Sequence, residues 1–240
     1  MRFKRKFFFF PLFVCLLCLS SSSLAIAKDG FLQTEDGVRL FYDYDKASNQ
    51  KGAVVLLHGW GMSYNEWIDF KKFLLKNNWS AIAIDFRGHG ASIEQGKKAL
   101  DYQTFTEKDK GRMLKDVAAA SHYLGTVRPI WIIGSSFGAG LAFTYARQKQ
   151  GIKGVVLISP ALKYSEAEYQ IAMNQYGDRP ILLAASADDP KWFAVAGKLR
   201  KYANGKAKFI QYKTAGHGMG LFAHDPTLKK DILDWLNSSG

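Results

Sequence analysis

The chain has 240 residues, with 33 basic against 21 acidic side chains and 48% apolar or aromatic residues. A net charge of +12 beside that apolar fraction describes a folded protein, not a disordered one, and the length suits a single α/β domain. No internal repeat and no second apolar run of bilayer length is present, which excludes channels, collagen-like fibres and coiled coils.

Residues 1–27 read as a targeting segment and 28–240 as one domain. Arg2, Lys4, Arg5 and Lys6 precede an apolar run from Phe7 to Leu19 broken only by Pro11, and Ala25-Ile26-Ala27 closes it as an A-x-A cleavage signal. That run is short against the roughly 20 residues of a membrane span. Cleavage after Ala27 and export, periplasmic or secreted, is therefore expected in preference to a retained anchor. Cys18 does not make a lipobox, because Leu17 stands where a small residue is needed. Loss of the segment removes four cations, leaving +8, and takes away both cysteines, Cys15 and Cys18, so thiol chemistry and thiolate metal sites are excluded from the mature chain. The remaining charge lies in scattered pairs, Lys71-Lys72, Lys97-Lys98, Arg200-Lys201 and Lys229-Lys230, which read as solvated faces. Nucleic-acid binding needs clustering with interleaved aromatics and is not expected; weak attraction to an anionic membrane surface is compatible with the charge, and nothing indicates an oligomeric state.

Phe31 to Gln33 and Val38 to Tyr44 alternate around Glu35-Asp36-Gly37, the pattern of a hairpin with an Asp-Gly turn. Ala53 to Leu57 is wholly apolar, as in a strand covered on both faces, and the same kind of run recurs at Ala81 to Ile84, Ile130 to Ile133, Val155 to Ile158 and Ile181 to Ala185. Phe209 to Tyr212 is the last candidate strand. Between these runs, Trp67, Phe70, Phe73 and Leu74, and then Met113, Val117, Ala120 and Leu124, follow a helical period. Ser136 to Gln148 is compatible with a helix, and Asp225-Pro226 predicts an N-cap and first residue for a final helix through Leu228, Ile232 and Leu236. Strands alternating with helices predict a mostly parallel sheet with helices on both faces, behind an N-terminal antiparallel hairpin. Ligands of such sheets sit at the carboxyl ends of the strands.

After the Ile130 strand comes Gly134-Ser135-Ser136-Phe137-Gly138 and a helix, a G-x-S-x-G pattern in strand–turn–helix context. Such a turn exposes the serine at a helix N-terminus, where backbone N–H groups favour an anion. A serine nucleophile needs a base and an orienting acid. His217 follows the last strand, in Ala215-Gly216-His217-Gly218; His58 and His89 belong to turn motifs, and His122 and His224 read as surface or packing residues. Two aspartates, Asp188 and Asp189, follow the Ile181 strand; Asp189 is preferred because Pro190 sets the chain direction after it. The oxyanion donors are expected to be the backbone N–H groups of Phe137 and of Trp60, in His58-Gly59-Trp60-Gly61.

Together with Asp85-Phe86-Arg87-Gly88-His89-Gly90-Ala91-Ser92, these motifs make the chain resemble a serine hydrolase of the α/β-hydrolase superfamily, over nearly all of its mature length. The resemblance implies a Ser136–His217–Asp189 triad and neither metal nor organic cofactor. It makes the Asp85 to Ser92 stretch a structural turn. Two departures stand out. Ser135 replaces the histidine that many relatives carry, and only Ala161 to Pro180 is available where many insert a cap, enough for one helix.

The reading is an exported serine esterase, without a cap, acting on small-molecule esters of short to medium acyl length. Its open apolar rim is expected from Trp60, Tyr64, Phe137, Met219, Leu221 and Phe222, and its activity needs no lipid–water interface. The same triad could serve a thioester, a peptide or perhydrolysis, and the fold can also carry a non-catalytic ligand-binding protein; the motifs do not separate these.

Overall fold

A computed structural model describes residues 26–205 and 207–239, so most of the expected targeting segment lies outside the described residues. The chain runs β1 (Ile26–Gln33), β2 (Val38–Lys46), β3 (Gly52–Leu57), α1 (Ile68–Lys76), β4 (Trp79–Ile84), β5 (Glu94–Gln95), β6 (Lys98–Ala99), α2 (Glu107–Arg112), α3 (Leu114–Tyr123), β7 (Ile130–Ser135), α4 (Phe137–Gln148), β8 (Gly154–Ile158), α5 (Glu166–Tyr176), β9 (Ile181–Ser186), α6 (Pro190–Tyr202), β10 (Ala207–Tyr212), α7 (Gly220–His224) and α8 (Leu228–Ser238). The described residues form one ten-stranded sheet in the order β10-β9-β8-β7-β3-β4-β2-β5-β6, with β1 against β2. Strands β4, β3, β7, β8, β9 and β10 are parallel. The β1–β2 hairpin is antiparallel, and Gly37 turns it at φ +80°.

The parallel strands are apolar throughout because both faces are covered. Alternate residues serve opposite cores: Val55 and Leu57 of β3 join α3, α4, α5 and α6, whereas Val54 and Leu56 join α1, α7 and α8. The chain passes from β3 outward to β4 and returns to place β7 on the other side of β3, so the strand order reverses between β3 and β7. A crevice opens at such a point beyond the carboxyl ends of the strands. Leu57 pairs with Gly134, and Ser135 with Ile158, so β3, β7 and β8 deliver their following loops to one level.

Two expectations are corrected here, and one element is added. The last helix starts at Leu228; Asp225 and Pro226 form the turn before it, with Asp225 Oδ1 accepting from the Thr227 N–H at 2.9 Å. Lys71 is not solvated but buried, paired with Asp43 and, at 3.3 Å, with Asp45, both supplied by β2. The short β5–β6 hairpin, too small to carry a period, was not anticipated. The segment after β8 does hold a single helix, α5, which is the crossover to β9; its Tyr169, Ala172, Met173 and Tyr176 are buried against the sheet layer.

The Asp85 to Ser92 turn is structural. The Asp85 carboxylate accepts from the N–H groups of Tyr64 and Ala91, each at 2.8 Å, and a Cβ at Gly90 would stand 2.0 Å from it. Arg87, buried, donates to Asp116 of α3 and to Asp36 of the hairpin turn, tying three segments together. Burial opposes ionisation of Asp36, but hydrogen bonds from Arg87 and Thr34 outweigh it and hold its pKa at about 2.

Candidate active site

Ser136 sits between β7 and α4 at φ 52°, ψ −115°, a conformation that costs an L-residue about 1–3 kcal/mol. The flanking glycines permit it. A Cβ at Gly134 would stand 2.4 Å from the carbonyl of Gly138, and one at Gly138 would stand 2.3 Å from the Leu57 carbonyl oxygen. Both positions therefore exclude any side chain, which is why the pattern needs glycine on either side. The strained turn lifts Ser136 Oγ out of the sheet, above the N-terminus of α4.

The Ser136 hydroxyl reaches His217 Nε2 at 2.7 Å, and His217 Nδ1 lies 2.6 Å from Asp189 Oδ2. A carboxylate can only accept, so Nδ1 carries the hydrogen and Nε2 is left to accept from the serine. Asp189 thus sets the tautomer, and the three side chains come from the ends of β7, β9 and β10. The histidine side chain is 42% exposed among the described residues.

Asp188 does a different job. Its carboxylate accepts from the N–H of Gly216 at 3.2 Å and from the Ser186 hydroxyl, which holds its pKa below the ordinary carboxylate range. Ser186 Oγ in turn accepts from the Ala215 N–H at 2.8 Å. On the far side of His217, the Gly218 N–H donates to Ser159 Oγ at 3.0 Å, with Ser159 itself buried at φ 47°. A Cβ at Gly218 would stand 2.9 Å from Ser135 Oγ, so the small residue beside Ser136 lets the histidine loop come close. Three side chains from β8 and β9 therefore clamp the loop that carries His217. The sequence singles out Asp188 only as the alternative acid, and the two serines not at all, because isolated serines carry no spacing signal.

The His58–Gly61 loop leaves β3 directly beside Ser136; a Cβ on Gly59 would stand 3.7 Å from Ser136 Cβ. His58 is buried and holds the loop, with Nδ1 on the Gly59 carbonyl at 2.7 Å and Nε2 accepting from the Phe86 N–H at 3.0 Å. Burial pushes its pKa down to about 3, so it stays neutral and structural. The Trp60 ring is edge-on to Phe137, Tyr102 and His89. Phe137, first residue of α4, has an N–H with no acceptor in its own helix. Glu66 was missed by sequence reasoning: its Oε2 accepts from the Gly59 N–H at 2.9 Å. Burial raises the Glu66 pKa, opposed by that bond and by nearby His217.

Of the expected rim, only Trp60 and Phe137 line the groove beside Ser136. Leu221 and Phe222 are buried in the core against α1 and α8, because α7 begins immediately after the histidine loop and turns them inward. Met219 packs on the same core, and Tyr64 lies on Phe41 at 5.0 Å between ring centres.

The family model for the alpha/beta hydrolase fold matches residues 52–190. A bifunctional esterase/perhydrolase of Acinetobacter calcoaceticus is 31% identical over 131 residues, 54% of this chain and 44% of that protein. A non-heme chloroperoxidase of Streptomyces lividans is 34% identical over 132 residues, again 54% and 44%, and a monoacylglycerol lipase of Mycolicibacterium smegmatis is 30% identical over 128 residues, 52% and 44%. The matches span less than half the length of these relatives. Among solved structures, a CIB-like hydrolase of Thermoplasma acidophilum superposes with a TM-score of 0.71 at 17% identity, covering 90% of this chain and 100% of the other. An esterase of Pyrococcus furiosus does so with a TM-score of 0.68 at 20% identity, covering 90% and 94%. At such identities the likeness is one of fold.

Proposed function

This chain belongs to the alpha/beta hydrolase fold family, and from that premise we propose that it is an exported serine hydrolase that cleaves carboxylic esters by acyl transfer. The observation that carries the reading is the unbroken chain Ser136 Oγ–His217–Asp189, with links of 2.7 and 2.6 Å.

In the proposed cycle, Ser136 Oγ attacks the ester carbonyl carbon while its proton passes to His217 Nε2. The N–H groups of Trp60 and Phe137 stabilise the oxyanion of the tetrahedral intermediate, aided by the positive end of α4. Collapse breaks the bond to the alcohol oxygen, which takes the proton from His217. Water then attacks the acyl-serine, gives its proton to the same nitrogen, and the acid leaves as Ser136 regains its hydrogen. Asp189 keeps Nδ1 protonated throughout. The names of the esterase/perhydrolase and chloroperoxidase relatives favour a second acceptor, hydrogen peroxide in place of water, which would release a peracid from the same acyl-enzyme. Labelling by a fluorophosphonate together with repeated turnover of a soluble p-nitrophenyl ester tests the reading; labelling without turnover would leave a receptor and not an enzyme.

Glu66→Ala leaves the Gly59 N–H without its acceptor and is expected to cost about 1–3 kcal/mol in thermal unfolding. Ester turnover should fall further than in Glu66→Gln, whose amide oxygen can still accept. Equal turnover in the two variants would show that the His58–Gly61 loop does not depend on this bond.

Export is proposed on the basic, apolar and A-x-A pattern of residues 1–27. The mature chain should begin at Lys28, which stands opposite Tyr44 in the β1–β2 ladder, so cleavage there leaves most of β1 paired. Intact mass of the exported protein decides it; a lipid on Cys18 or retention of residues 1–27 would overturn the proposed localisation.

A further inference from the structure

A groove of about 560 Å³ is lined by Ser136 and lies between α2, the start of α3, α4 and the loop after β8. Trp60, Trp192, Leu114, Phe137, Leu141 and Leu162 supply apolar lining. Its wall after β8 comes close because α4 carries glycine at 140, where a Cβ would stand 2.3 Å from the Ala161 carbonyl oxygen. The Tyr164 hydroxyl, hydrogen-bonded to Thr144 Oγ1 at 3.2 Å, ties that wall to α4 farther along. Charged residues line it as well: Glu107 and Lys110, paired at 2.7 Å on α2 with the Lys110 ammonium 5.1 Å from the Trp60 ring centre, and Lys163 on the loop after β8.

We infer that this groove holds the acyl chain of the substrate, that it selects apolar chains of medium length over short ones, and that Gly111 sets the length it accepts. The inference rests on the proposed ester hydrolysis and assigns the two halves of the ester. The leaving oxygen must lie on His217 Nε2 to receive its proton, and the carbonyl oxygen must point at the amides of Trp60 and Phe137. Trp60, Phe137 and Ser136 line the groove and, among the described residues, His217 does not. The group that remains on the carbonyl after the alcohol leaves therefore enters it, and the alcohol departs on the exposed histidine side. The volume lies within the range of small-molecule pockets, and the apolar part of the lining offers a chain dispersion contacts and removal from water. Gly111 is the place where the groove can be narrowed: it lines the wall on α2, and a Cβ there would meet nothing within 4 Å. A larger side chain at 111 has room to occupy groove volume without displacing backbone.

The test uses p-nitrophenyl esters from acetate to dodecanoate, and a second series with a fixed acetyl group and alcohols of increasing length. Each methylene added to the acyl chain should raise kcat/KM by up to about fourfold until the groove is full, and lengthening the alcohol should not. Gly111→Phe should shift the optimum to shorter acyl chains, lowering the octanoate-to-acetate ratio of kcat/KM at least tenfold, with Gly111→Ala between it and the parent chain. Thr144→Leu, filling from the opposite wall, should shift the ratio the same way. An acyl profile that is flat in the parent, or unmoved by Gly111→Phe while acetate is still hydrolysed, overturns the groove assignment and leaves ester hydrolysis standing. Failure to turn over any ester in either series overturns the hydrolase reading and this inference with it.

Discussion

Ser136→Ala is expected to lower ester turnover by on the order of 10⁴-fold or more and to abolish fluorophosphonate labelling, with thermal unfolding close to that of the parent chain. In the proposed cycle the hydroxyl oxygen forms the acyl bond, and in the structure it reaches His217 Nε2 at 2.7 Å. Removing it therefore takes the nucleophile and leaves the packing beneath it. The backbone of residue 136 is held independently, its N–H donating to the Ile158 carbonyl at 2.8 Å and its own carbonyl accepting from Ala161 at 3.1 Å. Alanine can occupy the same strained turn, so the amides of Trp60 and Phe137 should persist and account for any residual rate above water. Retained labelling in the variant would place the nucleophile elsewhere.

Asp189→Asn should cost about 10⁴-fold in kcat, and Asp188→Asn about tenfold at most, although the two residues are neighbours. An asparagine at 189 can present its amide hydrogen to Nδ1, which favours the tautomer with hydrogen on Nε2, where the serine proton has to go. At 188 the carboxylate instead accepts from the Gly216 N–H at 3.2 Å and from Ser186. Asparagine retains an oxygen for those donors, so the histidine loop keeps its anchor and loses only the extra strength of a charged acceptor. Steady-state kinetics on a p-nitrophenyl ester separates the two, and a reversed order would make Asp188 the acid and Asp189 the anchor.

The layered fold was legible because burial on both faces leaves a direct mark on composition. Val54, Val55, Leu56 and Leu57 admit no polar residue, since alternate members face two different cores. The turn at Ser136 was legible for a similar reason: contacts at 2.3 and 2.4 Å forbid a side chain at Gly138 and Gly134, so the constraint shows as glycine. The helix assigned to residues 137–148 starts where that turn ends. Lys71 shows the opposite case. Nothing around Lys71-Lys72 distinguishes the buried lysine from the solvated one, because its partners, Asp43 and Asp45, lie on a strand more than 20 residues earlier.

What the sequence determined by itself was the layered α/β architecture, the order of its parallel strands along the chain, and the residue types at the strand ends, Ser136, Asp189 and His217 among them. These follow from local rules: a period, an apolar run, a glycine with no room for a Cβ. The tertiary structure alone decided which side chains surround Ser136. Residues 219–222 follow His217 closely, yet α7 turns Leu221 and Phe222 into the core, while the groove is assembled from α2, α3, α4, α6 and the loop after β8. It also decided that Glu66 reaches the Gly59 N–H and that Ser159, Ser186 and Asp188 clamp the histidine loop. Each of those contacts joins segments whose approach is set by sheet register and helix packing, and a hydrogen bond between distant segments leaves no period in either one.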